Sequence, residues 1–137
     1  NPYEGKVIYQ TRCGVCHTLF AEGGNVGPDL TPYQRNDLQG LLMNIVMPNA
    51  EIREGYEQVR ITTTDQRTVN GFLADQNNRV IVVRTPDSQT STVVRNEIES
   101  LESIPSSLMP EGLLSDLTDV ELRDLFAYLR IGQPLPR

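Results

Sequence analysis

The sequence predicts a mainly α-helical single domain of 137 residues, interrupted by a small antiparallel β insertion. Three observations carry that expectation. Apolar residues recur at helical spacing near both ends and in the middle of the chain. Residues 56–94 are rich in Thr, Val, Ile and Arg with no helical period. The only two Cys and the only His fall together in "CGVCH", residues 13–17, directly behind the first helical stretch.

The length suits one hydrophobic core. A hydrophobic content of 38% with 22% charge is ordinary for a globular protein, and the longest apolar run, around residues 41–47, is far short of a membrane span. A net charge of -6 argues against nucleic acid, which needs basic patches to displace counterions. The charge is uneven: residues 1–52 carry -2, residues 53–95 carry +1, and residues 96–137 carry -5. The chain starts Asn1-Pro2 with neither an initiator Met nor a positive-then-apolar stretch, so a signal peptide is either already removed or lies upstream in a longer polypeptide, and export has to be argued from chemistry.

Residues 3–13 predict a short helix with Gly5 and Tyr9 one turn apart on one face. "AEGGNVGPDLTP", residues 21–32, holds three Gly and two Pro among its twelve residues, enough to exclude regular structure. "NDLQGLLMNIVMP" places Leu38, Leu41, Leu42 and Ile45 on a buried helical face, with Asn36 as N-cap and Pro48 as stop. The block from residue 56 to 94 reads as four short strands with turns at Asp65-Gln66, Gln76-Asn78 and Pro86-Ser88. "LTDVELRDLFAYLRIGQPLP" predicts the last helix. Thr118 and Glu121 form a capping box, Leu122, Leu125, Phe126 and Leu129 the apolar stripe, and Gly132 with Pro134 the stop. The domain is thus divided into an attachment half (1–52), the β insertion (53–95), and a distal loop with the C-terminal helix (96–137).

Four readings compete for Cys13, Cys16 and His17. A structural pair has no need of a second Cys three residues on followed by His. Zinc needs about four protein ligands, and no further Cys or His completes the set. A thioredoxin-like pair belongs after a strand in a βαβ unit, which is not visible here. Covalent attachment of a c-type haem requires this spacing, because thiols about one turn apart reach two vinyl groups on one porphyrin edge. His17 would then ligate the iron through Nε2, and its other nitrogen needs an acceptor. The Gly27-Pro28 pair is a suitable source of that acceptor.

A sixth ligand from the protein points to methionine, since the chain has no second His and a single Lys, Lys6. Met43 and Met47 lie i, i+4 on the middle helix and read as core packing. Met109 lies in an aperiodic loop, "SIPSSLMPEGLLSDLT", where no periodic partner explains it.

These residues resemble class I cytochromes c. Gly5 and Tyr9 with Leu125 and Tyr128 match the crossing of first and last helices in that family, "GPDL" its Gly-Pro loop, and "LMP" its ligand loop. The resemblance implies the class I cytochrome c fold, one covalent haem c, Pro28 as acceptor for His17, and Met109 as axial ligand. The β insertion departs from compact members. The order of motifs is similar to the C-terminal haem domain of large dehydrogenase-like proteins of planctomycete and verrucomicrobial type, which implies a fused or partner dehydrogenase as electron donor.

The resulting expectation is a periplasmic or otherwise exported electron carrier, not an enzyme, with no nucleic acid and no membrane span. A haem-based gas or redox sensor with a dissociable Met109 is the alternative. Peroxidase chemistry lacks a distal His. Docking through a basic patch on the partner follows from eight acidic residues between Glu97 and Asp124 opposed by Arg123 alone.

Overall fold

The computed structural model describes every residue except Pro86 and Ser88. It contains three α-helices and seven strands: α1 (Pro2–Arg12), β1 (Thr18–Leu19), β2 (Glu22–Gly23), α2 (Leu38–Val46), β3 (Gln58–Thr63), β4 (Thr68–Gln76), β5 (Val80–Arg84), β6 (Thr90–Val94), β7 (Ile98–Ile104) and α3 (Asp119–Leu129). Helix, the short 3-10 turn included, makes up 25% of the described residues and strand 27%. The mainly α class I cytochrome c fold expected from the sequence is therefore overturned. The β segment is longer than expected, and much of the remainder is loop.

Two compact units emerge, one of residues 1–48 with 110–137, the other of residues 49–109. In the first, α1 packs on α3. A Cβ on Gly5 would lie 1.8 Å from the Asp124 carbonyl oxygen and 2.9 Å from the Tyr128 Cβ, so only glycine permits this approach. Leu125 and Leu129 are fully buried beside Tyr9 and Tyr128, whose ring centroids are 5.3 Å apart. The capping box at Thr118 and Glu121 starts α3. Arg12, at the end of α1, forms a two-point ion pair with Asp116 (2.5 and 2.8 Å) and donates to the Leu113 carbonyl at 2.9 Å.

Two local expectations change in this unit. The stretch after His17 contains a short hairpin, β1 paired with β2, turning through Phe20 and Ala21 at positive φ. The cap of α2 is Asp37 rather than Asn36, because the Asp37 carboxylate accepts the Gly40 N–H at 3.1 Å. Only Ile45 of α2 is buried; Leu38, Leu42, Met43, Val46 and Met47 are each roughly half exposed. Met43 and Met47 are thus not packed in the polypeptide core.

The second unit is a five-stranded antiparallel sheet in the order β6-β5-β4-β3-β7. Five strands replace the expected four, and the sheet runs past residue 95 to Ile104. Its two edge strands are consecutive, joined by a 3-10 turn of three residues, Arg95–Glu97. In a flat sheet those edges would stand about 19 Å apart at ~4.8 Å per strand. The four Cα steps from Val94 to Ile98 span at most about 15 Å. The sheet must therefore curl. Bulges at Thr62/Thr63 and Leu73/Asp75 supply bend, and Arg95 N to Arg79 O with Thr64 N to Glu97 O, both 2.8 Å, seat the turn. Inside the curl Val59, Ile61, Ile81, Val83 and Val93 form the core. On another face Phe72 is buried, with the Tyr56 ring 5.5 Å away and the Arg84 guanidinium about 5 Å from both rings. The expected turns at Asp65-Gln66 and Gln76-Asn78 connect β3 to β4 and β4 to β5. The turn expected at Pro86-Ser88 rests on Pro86 and Ser88, which lie outside the described residues.

Candidate functional site

Cys13 is the C-cap of α1, and its carbonyl oxygen accepts the N–H groups of Cys16 (3.0 Å) and His17 (2.8 Å). The two cysteines thus stand at the start and the end of a single backbone turn, with His17 directly after it. Both cysteines are half-buried free thiols. Burial pushes the Cys13 thiol up to about 11, only partly opposed by Arg12, so it stays protonated at neutral pH.

His17 is held at its ring and at its backbone. The ring Nδ1 lies 2.8 Å from the Pro28 carbonyl oxygen. A carbonyl only accepts, so Nδ1 carries the proton and Nε2 keeps its lone pair. At the other end of the residue, the Tyr9 hydroxyl donates to the His17 carbonyl at 2.9 Å.

The Gly-rich loop wraps this turn. Gly24 N donates to Gly14 O, Gly27 N to Cys16 O, and Leu30 N to Thr18 O, each at 2.8 Å. Thr18 donates through its hydroxyl to Gly24 O at 2.7 Å. A Cβ on Gly27 would sit 2.6 Å from the His17 Cε1, so the imidazole lies directly against backbone. Beyond the loop, Arg35 is buried yet satisfied. It donates to the carbonyls of Leu30 (3.1 Å), Leu129 and Ile131 (2.6 Å each), and its guanidinium stands 5.0 Å from the Phe20 ring. It ties the loop to the end of α3.

Cys13, Cys16, His17 and Pro28 therefore share one site in the first unit. Met109 is the last residue of the second unit, half-buried, with its N–H donating to the Ser107 hydroxyl at 3.1 Å. The Ser107 N–H in turn donates to the Asn49 side chain at 2.6 Å, so the loop has a built backbone rather than a random course. Sequence reasoning missed the Tyr9 hydroxyl contact and the Arg35 clamp. A tyrosine on an otherwise apolar helix face was the available signal for the first, and an arginine with no acidic helix partner for the second.

The donor set fits a covalently attached haem. Two thiols one turn apart offer the two thioether positions, and the tautomer of His17 offers an imidazole nitrogen suited to iron. The apolar, half-exposed side chains of α2 in the same unit match the apolar cover a porphyrin requires.

Among the described residues no helix is long and apolar enough to cross a membrane. No curated protein matches the chain. A sequence model of the cytochrome c family matches residues 3–82, more than half of the chain, taking in the attachment turn, the Gly-Pro loop and α2 and ending before Met109. The chain belongs to the cytochrome c family: a haem-binding electron-transfer protein whose haem c is covalently held.

Proposed function

We propose that this chain carries one haem c on Cys13 and Cys16, with His17 and Met109 as its axial ligands, and passes single electrons between a dehydrogenase and an acceptor in an exported compartment, the periplasm in a Gram-negative cell. The observation that carries this reading is the 2.8 Å contact from His17 Nδ1 to the Pro28 carbonyl beside two thiols of one turn. When bound, the haem supplies the ferric/ferrous couple.

The chain's own residues do the rest. Pro28 fixes the protonated nitrogen of His17 and strengthens the other as a donor to metal. Gly27 lets the imidazole lie flat on the loop. Half-buried Cys13 and Cys16 anchor the group to the end of α1, and the apolar residues of α2 exclude water, which favours the ferrous charge state. Met109 is assigned from its aperiodic loop and from the resemblance of "LMP" to the ligand loop of class I members. Its thioether, a soft neutral donor, favours the reduced state over the oxidised.

A fused or partner dehydrogenase as electron donor rests on the order of motifs along the chain. The acidic last third is more internally committed than its composition suggests. Asp116 pairs with Arg12, Glu102 approaches Arg60 at 3.4 Å, and Glu121 closes the capping box. Docking on a basic partner surface then falls to the remaining carboxylates, Glu97 and Glu99 among them.

Spectra of purified oxidised and reduced protein test the function. A sharp reduced α-band that is unchanged by carbon monoxide supports a six-coordinate carrier. A carbon monoxide complex formed at once on mixing would contradict it.

A further inference from the structure

We propose that Tyr9 is the positioning residue of the attachment turn, fixing both ends of residues 13–17 and thereby the orientation of His17. This rests on the reading of Cys13, Cys16 and His17 as the haem-binding residues. Tyr9 is one turn upstream on α1, and it reaches the loop twice. Its carbonyl oxygen accepts the N–H groups of Cys13 (2.8 Å) and Gly14 (2.7 Å) at the start of the turn. Its hydroxyl donates to the carbonyl oxygen of His17 (2.9 Å) at the end. One residue thus brackets both thiols and the imidazole.

The choice of tyrosine has no packing explanation of its own. Tyr9 is 2% exposed, and its ring meets Tyr128 at 5.3 Å and 55°. Phenylalanine would fill that space as well and would bring no polar atom into the interior. A buried hydroxyl is tolerated only where it finds an acceptor, and the His17 carbonyl is that acceptor. Burial, with Cys13 and Tyr128 nearby, pushes the hydroxyl's pKa well up, so it remains a donor across the physiological range.

The consequence for His17 is geometric. Pro28 holds the ring through Nδ1, and Tyr9 holds the main chain through the carbonyl. With both points fixed, the direction of the Nε2 lone pair is set. With the second point released, the backbone at residue 17 gains freedom and the Nδ1–H···O contact opens more often. One net buried hydrogen bond corresponds to about a tenfold change in such an opening equilibrium.

The test compares Tyr9→Phe with Tyr128→Phe in haem-loaded protein. Both substitutions remove one hydroxyl from the same buried ring pair. The Tyr128 hydroxyl makes no hydrogen bond among the described residues and, since no buried side-chain polar atom there is left unpartnered, it reaches solvent; only Tyr9→Phe removes the contact to His17. Solvent exchange of the His17 Nδ1 proton, followed by NMR in the reduced state, should be about tenfold faster in Tyr9→Phe and unchanged in Tyr128→Phe. The midpoint potential should move only in Tyr9→Phe. Equal exchange in parent and Tyr9→Phe, or equal acceleration in both variants, would overturn the proposal. Should Tyr9→Phe fail to mature, the parent decides: a Tyr9 hydroxyl proton retained far longer than that of Tyr128 supports the contact, and equal exchange refutes it. A parent lacking covalent haem would refute the underlying reading instead, which the intact mass distinguishes.

Discussion

His17 presents its Nδ1 to the carbonyl oxygen of Pro28 at 2.8 Å, while Gly27, the residue before that proline, lies under the same imidazole ring. Acceptor and platform are thus adjacent residues of one loop, and the loop is pinned to the attachment turn through Gly27 N and Cys16 O.

Gly27→Ala should displace the ring. An added Cβ would stand 2.6 Å from Cε1, and overpacking of this kind costs about 1–3 kcal/mol. The expected outcome is a lower yield of haem-loaded protein and a lower melting temperature, measured by absorbance and calorimetry. A melting transition equal to the parent's would show that the loop yields freely.

Met109→Ala should abolish the thioether-to-ferric charge-transfer band, and Met47→Ala should leave it. Met47, the C-cap of α2, is 51% exposed, so its exclusion as ligand rests on the loop position of Met109 and not on burial. The oxidised spectrum of each variant decides, and loss of the band only in Met47→Ala reverses the assignment.

Gly5→Val should destabilise the α1–α3 crossing by at least about 1–3 kcal/mol, because the new side chain meets main-chain atoms of Asp124 that have nowhere to go. Chemical denaturation of haem-loaded protein measures it. The same experiment on Gly132→Ala, where a Cβ meets nothing within 4 Å, should show little change in packing.

Asp116 should contribute acid sensitivity. Its pairing with Arg12 holds the carboxyl below the usual carboxylate range. A depressed folded-state pKa means the contribution is complete above the ordinary carboxylate pKa and is lost as pH falls through the lower folded-state value. Asp116→Asn should therefore be less stable than the parent at pH 7, with the difference closing toward pH 3. Denaturant midpoints across that window check the sign, and a constant difference would remove Arg12 as the cause.

Much of the site was readable in the sequence because its chemistry uses rare residues. The chain has two Cys and one His, and their spacing excludes most alternatives before any coordinate is known. The capping box of α3 was equally plain, since Thr118 and Glu121 are local signals. Strand β7 was not. Its apolar residues Ile98, Leu101 and Ile104 are spaced by three, separated by Glu and Ser, and only its two ends are even half-buried. Alternation is the signature of a half-buried strand, and an edge strand with both faces wet does not carry it. The middle helix misled for the opposite reason: Leu38 and Leu42 have the spacing of a buried stripe, yet the polypeptide alone covers only Ile45. The Tyr9 hydroxyl contact spans eight residues and depends on the turn that Cys13 begins, which composition and periodicity do not encode.

Covalent haem on Cys13 and Cys16 is read out by the intact mass of protein matured in an export-competent host with c-type haem attachment machinery, measured after acid–organic extraction. The polypeptide mass plus one haem is predicted for the parent, with the bare polypeptide mass for a Cys13→Ala, Cys16→Ala double variant. Recovery of the bare polypeptide mass from the parent would contradict the account.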